Sequence, residues 1–291
     1  MIKEALAALG NSARDLFRNW RVLLLAATLY ALLLASVYLF FATGVANAWQ
    51  LAYGTALAGL AAPLLFLLLQ AAAANAALPE ATAARVARRA PRDLLKVLLL
   101  ALPVVALAVL FVYLLAKLPG WLPGIEEAPA HSAVGTGVES RPAPLYWQEA
   151  LTSSLWLLLL GFVLPLLAAH LWLAAAREGL GATLKGLHRV AGRAFALRSV
   201  LVYALGLVVF GLTPYFVVYT RTAVSNGSAE LLIFGLRLAL AFALTLVGWL
   251  ITLGALARVT PPLAQAPVMP EPAAAPPPAE HASAAEPQLQ A

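Results

Sequence analysis

The 291 residues are 63% hydrophobic and 11% charged, whereas water-soluble globular chains average roughly 45–50% and 25%; no water-soluble fold hides that much hydrocarbon. The absence of cysteine excludes disulfides, thiolate catalysis, zinc–thiolate sites and iron–sulfur clusters. A net charge of +6 would suggest nucleic acid as a partner of a soluble domain, but here the basic residues flank apolar blocks, which points to anionic lipid headgroups and to topology.

Residues 1–20 set Ile2, Leu6, Leu9, Ala13, Phe17 and Trp20 at steps of three and four, the stripe of an amphipathic helix. Gly10 and Asn11 are expected to interrupt it, and Ser12 with Asp15 has the capping-box spacing that restarts a helix. Lys3, Arg14, Arg18 and Arg21 occupy the polar side, which predicts a helix lying in the inner headgroup layer.

Six apolar spans follow, at about 22–45, 51–75, 95–117, 151–176, 199–219 and 231–257, within a membrane domain of residues 21–258. Val45-Ala46-Asn47-Ala48 resembles a leader cleavage site, but the apolar run before it has 24 residues against about 7–15 in a signal peptide. A retained first span is expected. Alternating the linkers between two sides puts fifteen of the nineteen basic residues on one face, with Lys117, Arg141 and Arg221 opposite and Arg237 inside a span. By the positive-inside rule both termini are expected in the cytoplasm, in a cell inner membrane. Trp20 and Trp172 then fall at the inner boundary and Trp49, Trp121 and Trp147 at the outer one, as interfacial anchors.

The loop 118–148 is the one sizeable external segment, with two Pro-Gly turns around Trp121. Residues 259–291 form a Pro/Ala tail with nine prolines and no basic residue, expected to be disordered in the cytoplasm. Pro267–Pro270 has P-x-x-P spacing, and Asn226-Gly227-Ser228 fits the glycosylation pattern but reads more simply as a tight turn. Short matches hint at internal duplication: Arg85–Ala90 with Arg189–Ala194, Arg14–Arg18 with Arg92–Lys96, and Pro63-Leu64-Leu65 with Pro165-Leu166-Leu167. The unit they imply is a basic amphipathic helix followed by a helical hairpin, in parallel copies.

No Asp or Glu lies centrally in any span, which disfavours a proton-coupled pump and paired-carboxylate hydrolysis. Arg237 is a candidate contact for an anion or lipid; the competing reading is an arginine that snorkels to the outer surface. Its insertion cost of roughly 2.5–3.5 kcal/mol is outweighed by fifteen Leu, Ile, Phe and Val residues in the same span at about 0.3–0.6 kcal/mol each. His170 and Gln70 are candidate intramembrane polar contacts, and Gln70, Asn75 and Thr213 are expected to bridge helices. His131, His188 and His281 show no ligand spacing; no catalytic, cofactor or metal residues are assigned. Pro63, Pro103, Pro165 and Pro214 fall inside four spans, where each removes a hydrogen bond and favours a kink.

The run Arg14–Arg21 leading into a leucine-rich span, followed by repeated basic linkers, resembles bacterial six-span membrane proteins related to the membrane domain of some glycerophosphodiester phosphodiesterases. That resemblance implies an all-α, polytopic bundle over most of residues 1–258. The family's hydrolase chemistry resides in a separate soluble domain, so no catalytic residue is implied. Three functional readings follow in order. The first is a non-catalytic scaffold or accessory protein binding membrane lipids or a protein partner, and no nucleic acid. The second is a carrier or channel for a lipid or small anionic solute, motivated by Arg237 and the prolines. The third is an enzyme drawing its site from Glu126, Glu127, His131, Arg141 and Glu149.

Overall fold

In a computed structural model, the structure describes residues 1–79, 81–121, 147–220 and 227–261. The enzyme candidates Glu126, Glu127, His131 and Arg141 lie outside these residues, as do Arg221, Asn226, His281 and Pro267–Pro270; so does the side chain of Glu149. Every regular element among the described residues is helical.

Six helices are long and apolar enough to cross a bilayer: Trp20–Thr43, Ala48–Ala76, Ala83–Leu118, Ala150–Glu178, Leu197–Tyr219 and Gly227–Val259. The shortest has 23 residues, more than the roughly 20 that a 30 Å hydrocarbon layer demands. The chain is an all-α, multi-pass membrane protein. Gly44 turns the first hairpin at φ +66°, a conformation that side chains other than glycine's rarely adopt. Asn47 then caps the second span by accepting the Gln50 N–H at 2.8 Å. Gln50 returns the bond by accepting the Ala46 N–H at 2.8 Å.

Two local expectations are corrected. The N-terminal helix runs unbroken over Ile2–Arg18, so Gly10 and Asn11 do not interrupt it. Ser12 does not cap a helix; its hydroxyl donates to the Ile251 carbonyl at 2.8 Å. The exchange follows from packing: Ala5, Ala8, Leu9 and Ser12 are buried where this helix meets the fifth and sixth spans. Ile2, Leu6, Phe17 and Trp20 of the apolar stripe face outward, more than half exposed. The helix therefore has two apolar faces, a small-residue face on the bundle and a bulky one turned to the surroundings.

The third span begins twelve residues before its expected start at 95, because the basic stretch from Ala83 is continuous with it in one helix to Trp121. The matching segment Arg189–Ala194 instead falls in a separate helix, Leu187–Ala194, broken from the fifth span at Ala196, which is extended. These matched segments therefore have different settings. Pro63 and Pro165 do share one: each stands two residues after a π-helical stretch, Leu57–Ala61 and Leu157–Val163, and Pro214 follows Leu207–Leu212 in the same way. A proline deprives the carbonyl four residues back of its donor and crowds it. Gly59 and Gly161 occupy that position, and the wider π turn accommodates the mismatch. Pro103 differs, lying within a continuous α-helix.

Burial is concentrated toward the end of the bundle that carries the basic linkers. Leu67–Asn75 of the second span, Leu166–Ala175 of the fourth and Leu246–Ala257 of the sixth supply most of the core. The opposite halves of these spans turn Leu60, Leu157, Leu158, Leu231 and Leu232 outward, as helices dissolved in lipid do. Small residues set the closest approaches. A Cβ on Gly248 would lie 2.1 Å from the Phe210 Cβ, and one on Gly254 would lie 2.2 Å from the Ser12 hydroxyl oxygen.

Candidate functional site

Where the tight half of the bundle gives way to the looser half, all six spans border a cavity of about 770 Å³. That falls within the roughly 300–1,000 Å³ typical of small-molecule sites. Pro63, Pro165 and Gly211, each in or beside a π stretch, lie on its wall, because a helix of altered pitch does not pack flush against its neighbours. No charged side chain lines it.

Its few polar groups are concentrated toward the basic end. Gln70 accepts the Trp249 indole N–H at 2.7 Å, joining the second and sixth spans. The Tyr203 hydroxyl donates to the Gly161 carbonyl at 3.2 Å, replacing the donor that Pro165 cannot provide. Thr252 donates to the Gly248 carbonyl at 2.7 Å within its own helix. Trp172, expected as an interfacial anchor, is instead 6% exposed. It packs edge-to-face on Phe66 with ring centres 6.3 Å apart, and its indole N–H meets no acceptor among the described residues. Trp20, Trp49, Trp121 and Trp147, by contrast, are all more than half exposed.

The other expected site residues are held elsewhere. His170 is buried and fully bonded. Its Nδ1 lies 2.9 Å from the Leu166 carbonyl, and its Nε2 lies 3.2 Å from the Ser199 hydroxyl and 3.4 Å from the Thr260 hydroxyl. A carbonyl only accepts, so Nδ1 carries the proton and Nε2 accepts from the hydroxyls. The imidazole thus staples three segments together. Arg237 donates to the Thr220 carbonyl at the C-terminal end of the fifth span, where the helix dipole favours a cation. Gln70 therefore borders the cavity and His170 and Arg237 do not. Thr213 is exposed and bridges nothing among the described residues.

Sequence reasoning missed Asp93, which is buried at the basic end. Asn75 donates to its carboxylate at 2.9 Å, and Lys96 pairs with it at 2.6 Å. A second hollow of about 700 Å³ opens at this end, among the N-terminal helix, the linker after Ala76 and the end of the sixth span. Arg177 on its wall donates to the Ala257 and Thr260 carbonyls, and Arg258 pairs with Asp15. These cations are thus engaged in closing helix ends. No group of three or more His, Asp or Glu side chains that could hold a metal occurs among the described residues.

No protein-family model, curated protein or solved structure matches this chain.

Proposed function

We propose that this chain is a non-catalytic inner-membrane accessory protein that binds a membrane lipid in the cavity between its spans, with both termini in the cytoplasm. The observation that carries the reading is the cavity itself, about 770 Å³ with an almost wholly apolar wall and no charged residue. Acyl chains surround such a space and enter it without the cost that a polar or ionic solute would meet. The non-catalytic part rests on the sequence, which places no Asp or Glu centrally in any span. The orientation rests on the partition of basic residues.

Replacing Ala168 with Trp fills the cavity from the fourth span. Native mass spectrometry of protein released from mild detergent should show lipid retained on the wild type and several-fold less on Ala168→Trp, with unchanged elution on size exclusion. Equal retention by both would overturn the reading.

A carrier of lipid between leaflets is the second reading, favoured by the three π stretches beside the cavity, since such irregular turns recur at functional sites. Fluorescent phospholipid movement in proteoliposomes separates the two. Acceleration over protein-free vesicles supports the carrier, and unchanged movement supports the accessory protein.

A further inference from the structure

We infer that the hollow at the basic end is a binding site for the phosphate group of a net-anionic phospholipid, with Arg18 as its free cation. The site is separate from the cavity between the spans, since no residue lines both, and it does not depend on what that cavity holds. Its depth is set by the helices around it. Val22 lies two residues inside the start of the first span, Ala76 ends the second, Arg177 is one residue from the end of the fourth and Ala257 two from the end of the sixth. The hollow thus stands where the hydrocarbon layer gives way to headgroups, the level of lipid phosphates.

Three arginines and one aspartate line it, so its wall carries positive charge in excess. Asp15 is already paired with Arg258. Arg177 donates to the Ala257 and Thr260 carbonyls, which engages two of the five N–H groups that a guanidinium carries. The Arg18 side chain has no ion pair, hydrogen bond or ring contact among the described residues. Phosphate oxygens accept from such donors in charge-assisted bonds, and the planar fork of an arginine fits two of them at once.

The rest of the wall selects what carries the phosphate. Leu16, Val22, Leu78 and Leu250 give the hollow an apolar part, which a free, hydrated anion leaves bare and an acyl chain covers. A zwitterionic headgroup brings its own cation against a wall that is already positive, so the fitting headgroup is net negative. The site is also formed in advance. Asn19 donates to the Ala81 carbonyl and so ties the linker after the second span to the start of the first.

The test uses the full-length chain in neutral detergent at an ionic strength near 0.15 M, where attraction between exposed charges is screened beyond about 8 Å. Native mass spectrometry compares retained phosphatidic acid with phosphatidylcholine of the same chains, and the wild type should retain phosphatidic acid several-fold better. Arg18→Gln should lower that retention about 10-fold, the weight of one charge-assisted hydrogen bond. Arg14→Gln, which removes the same charge from the same helix outside the hollow, should leave it unchanged. Both side chains are exposed, so both variants should elute like the wild type on size exclusion. Equal retention of the two lipids by the wild type, or equal losses from the two variants, overturns the site. Ala168→Trp, which fills the other cavity, should keep its phosphatidic acid; a loss as large as that of Arg18→Gln would place the lipid between the spans and refute a second site. Competition on the wild type separates the sources of the phosphate. Short-chain phosphatidic acid should displace the bound lipid at concentrations where inorganic phosphate does not, and equal displacement by both would assign the hollow to a soluble phosphate and contradict the proposal.

Discussion

Trp172 and Trp249 line the same cavity from the fourth and sixth spans, but only Trp249 finds an acceptor among the described residues. Sequence position placed Trp172 near a membrane boundary and was silent about azimuth; a signal for its burial was nonetheless present. Ala168 and Ala175, four residues before and three after it, are the small neighbours that mark a helix face pressed on another helix. Gln70 was legible as a helix bridge because an amide inside an apolar run has few other outlets. Its partner was not legible, since the two residues are 179 positions apart. Gln70→Leu should lower stability by about 0.6 kcal/mol and at most about 1.7 kcal/mol, the measured range for such bonds in membranes. Unfolding in mixed micelles checks this, and the loss should largely vanish when Trp249→Phe is already present. Arg237 illustrates the converse case. Its charge drew attention in the sequence, but its bond to the Thr220 carbonyl makes it the closing group of a helix end.

The existence of six spans could be read from hydropathy alone, because lipid demands long apolar runs with internally satisfied backbones. Their inner irregularities could not. The prolines were visible, but whether a proline kinks a helix, sits in a regular one like Pro103 or follows a π stretch depends on what its neighbours offer. At Pro165 the fifth span offers the Tyr203 hydroxyl to the Gly161 carbonyl. Tyr203→Phe should therefore cost about 1 kcal/mol in the wild type and markedly less in Pro165→Ala, where the restored amide N–H reaches the same carbonyl. A double-mutant cycle of unfolding free energies measures the difference. The N-terminal helix was legible as amphipathic, but its docking was not, because apart from Leu9 the docking face is made of the small residues Ala5, Ala8 and Ser12 rather than of the bulky residues that dominate periodicity. Gly254→Val should drive Ser12 off its contact, at roughly 1–3 kcal/mol for overpacking. Limited proteolysis should then cleave within residues 2–18 faster than in the wild type.

Across the whole molecule, packing is uneven in a way that composition does not reveal. The basic end is closed by Arg177 and Arg193 on the carbonyls that end the sixth span, by Arg258 on Asp15 and by His170 between helices. Toward the other end the apolar side chains turn outward, and the cavity lies at the transition. Residues read from the sequence as topology signals and isolated polar contacts thus prove to be the clasp that holds the tight half together. The account stands on hydrocarbon, not water, filling the space between the spans. The chain has no native cysteine, so a single nitroxide placed by Ala101→Cys on the cavity wall reports on that space alone. In reconstituted bilayers its relaxation should respond strongly to oxygen and weakly to a water-soluble nickel chelate, as at a lipid-exposed position. A nickel response as large as that of a label at Gly186, in the linker before the fifth span, would mean a water-filled cavity and would contradict the proposed lipid site.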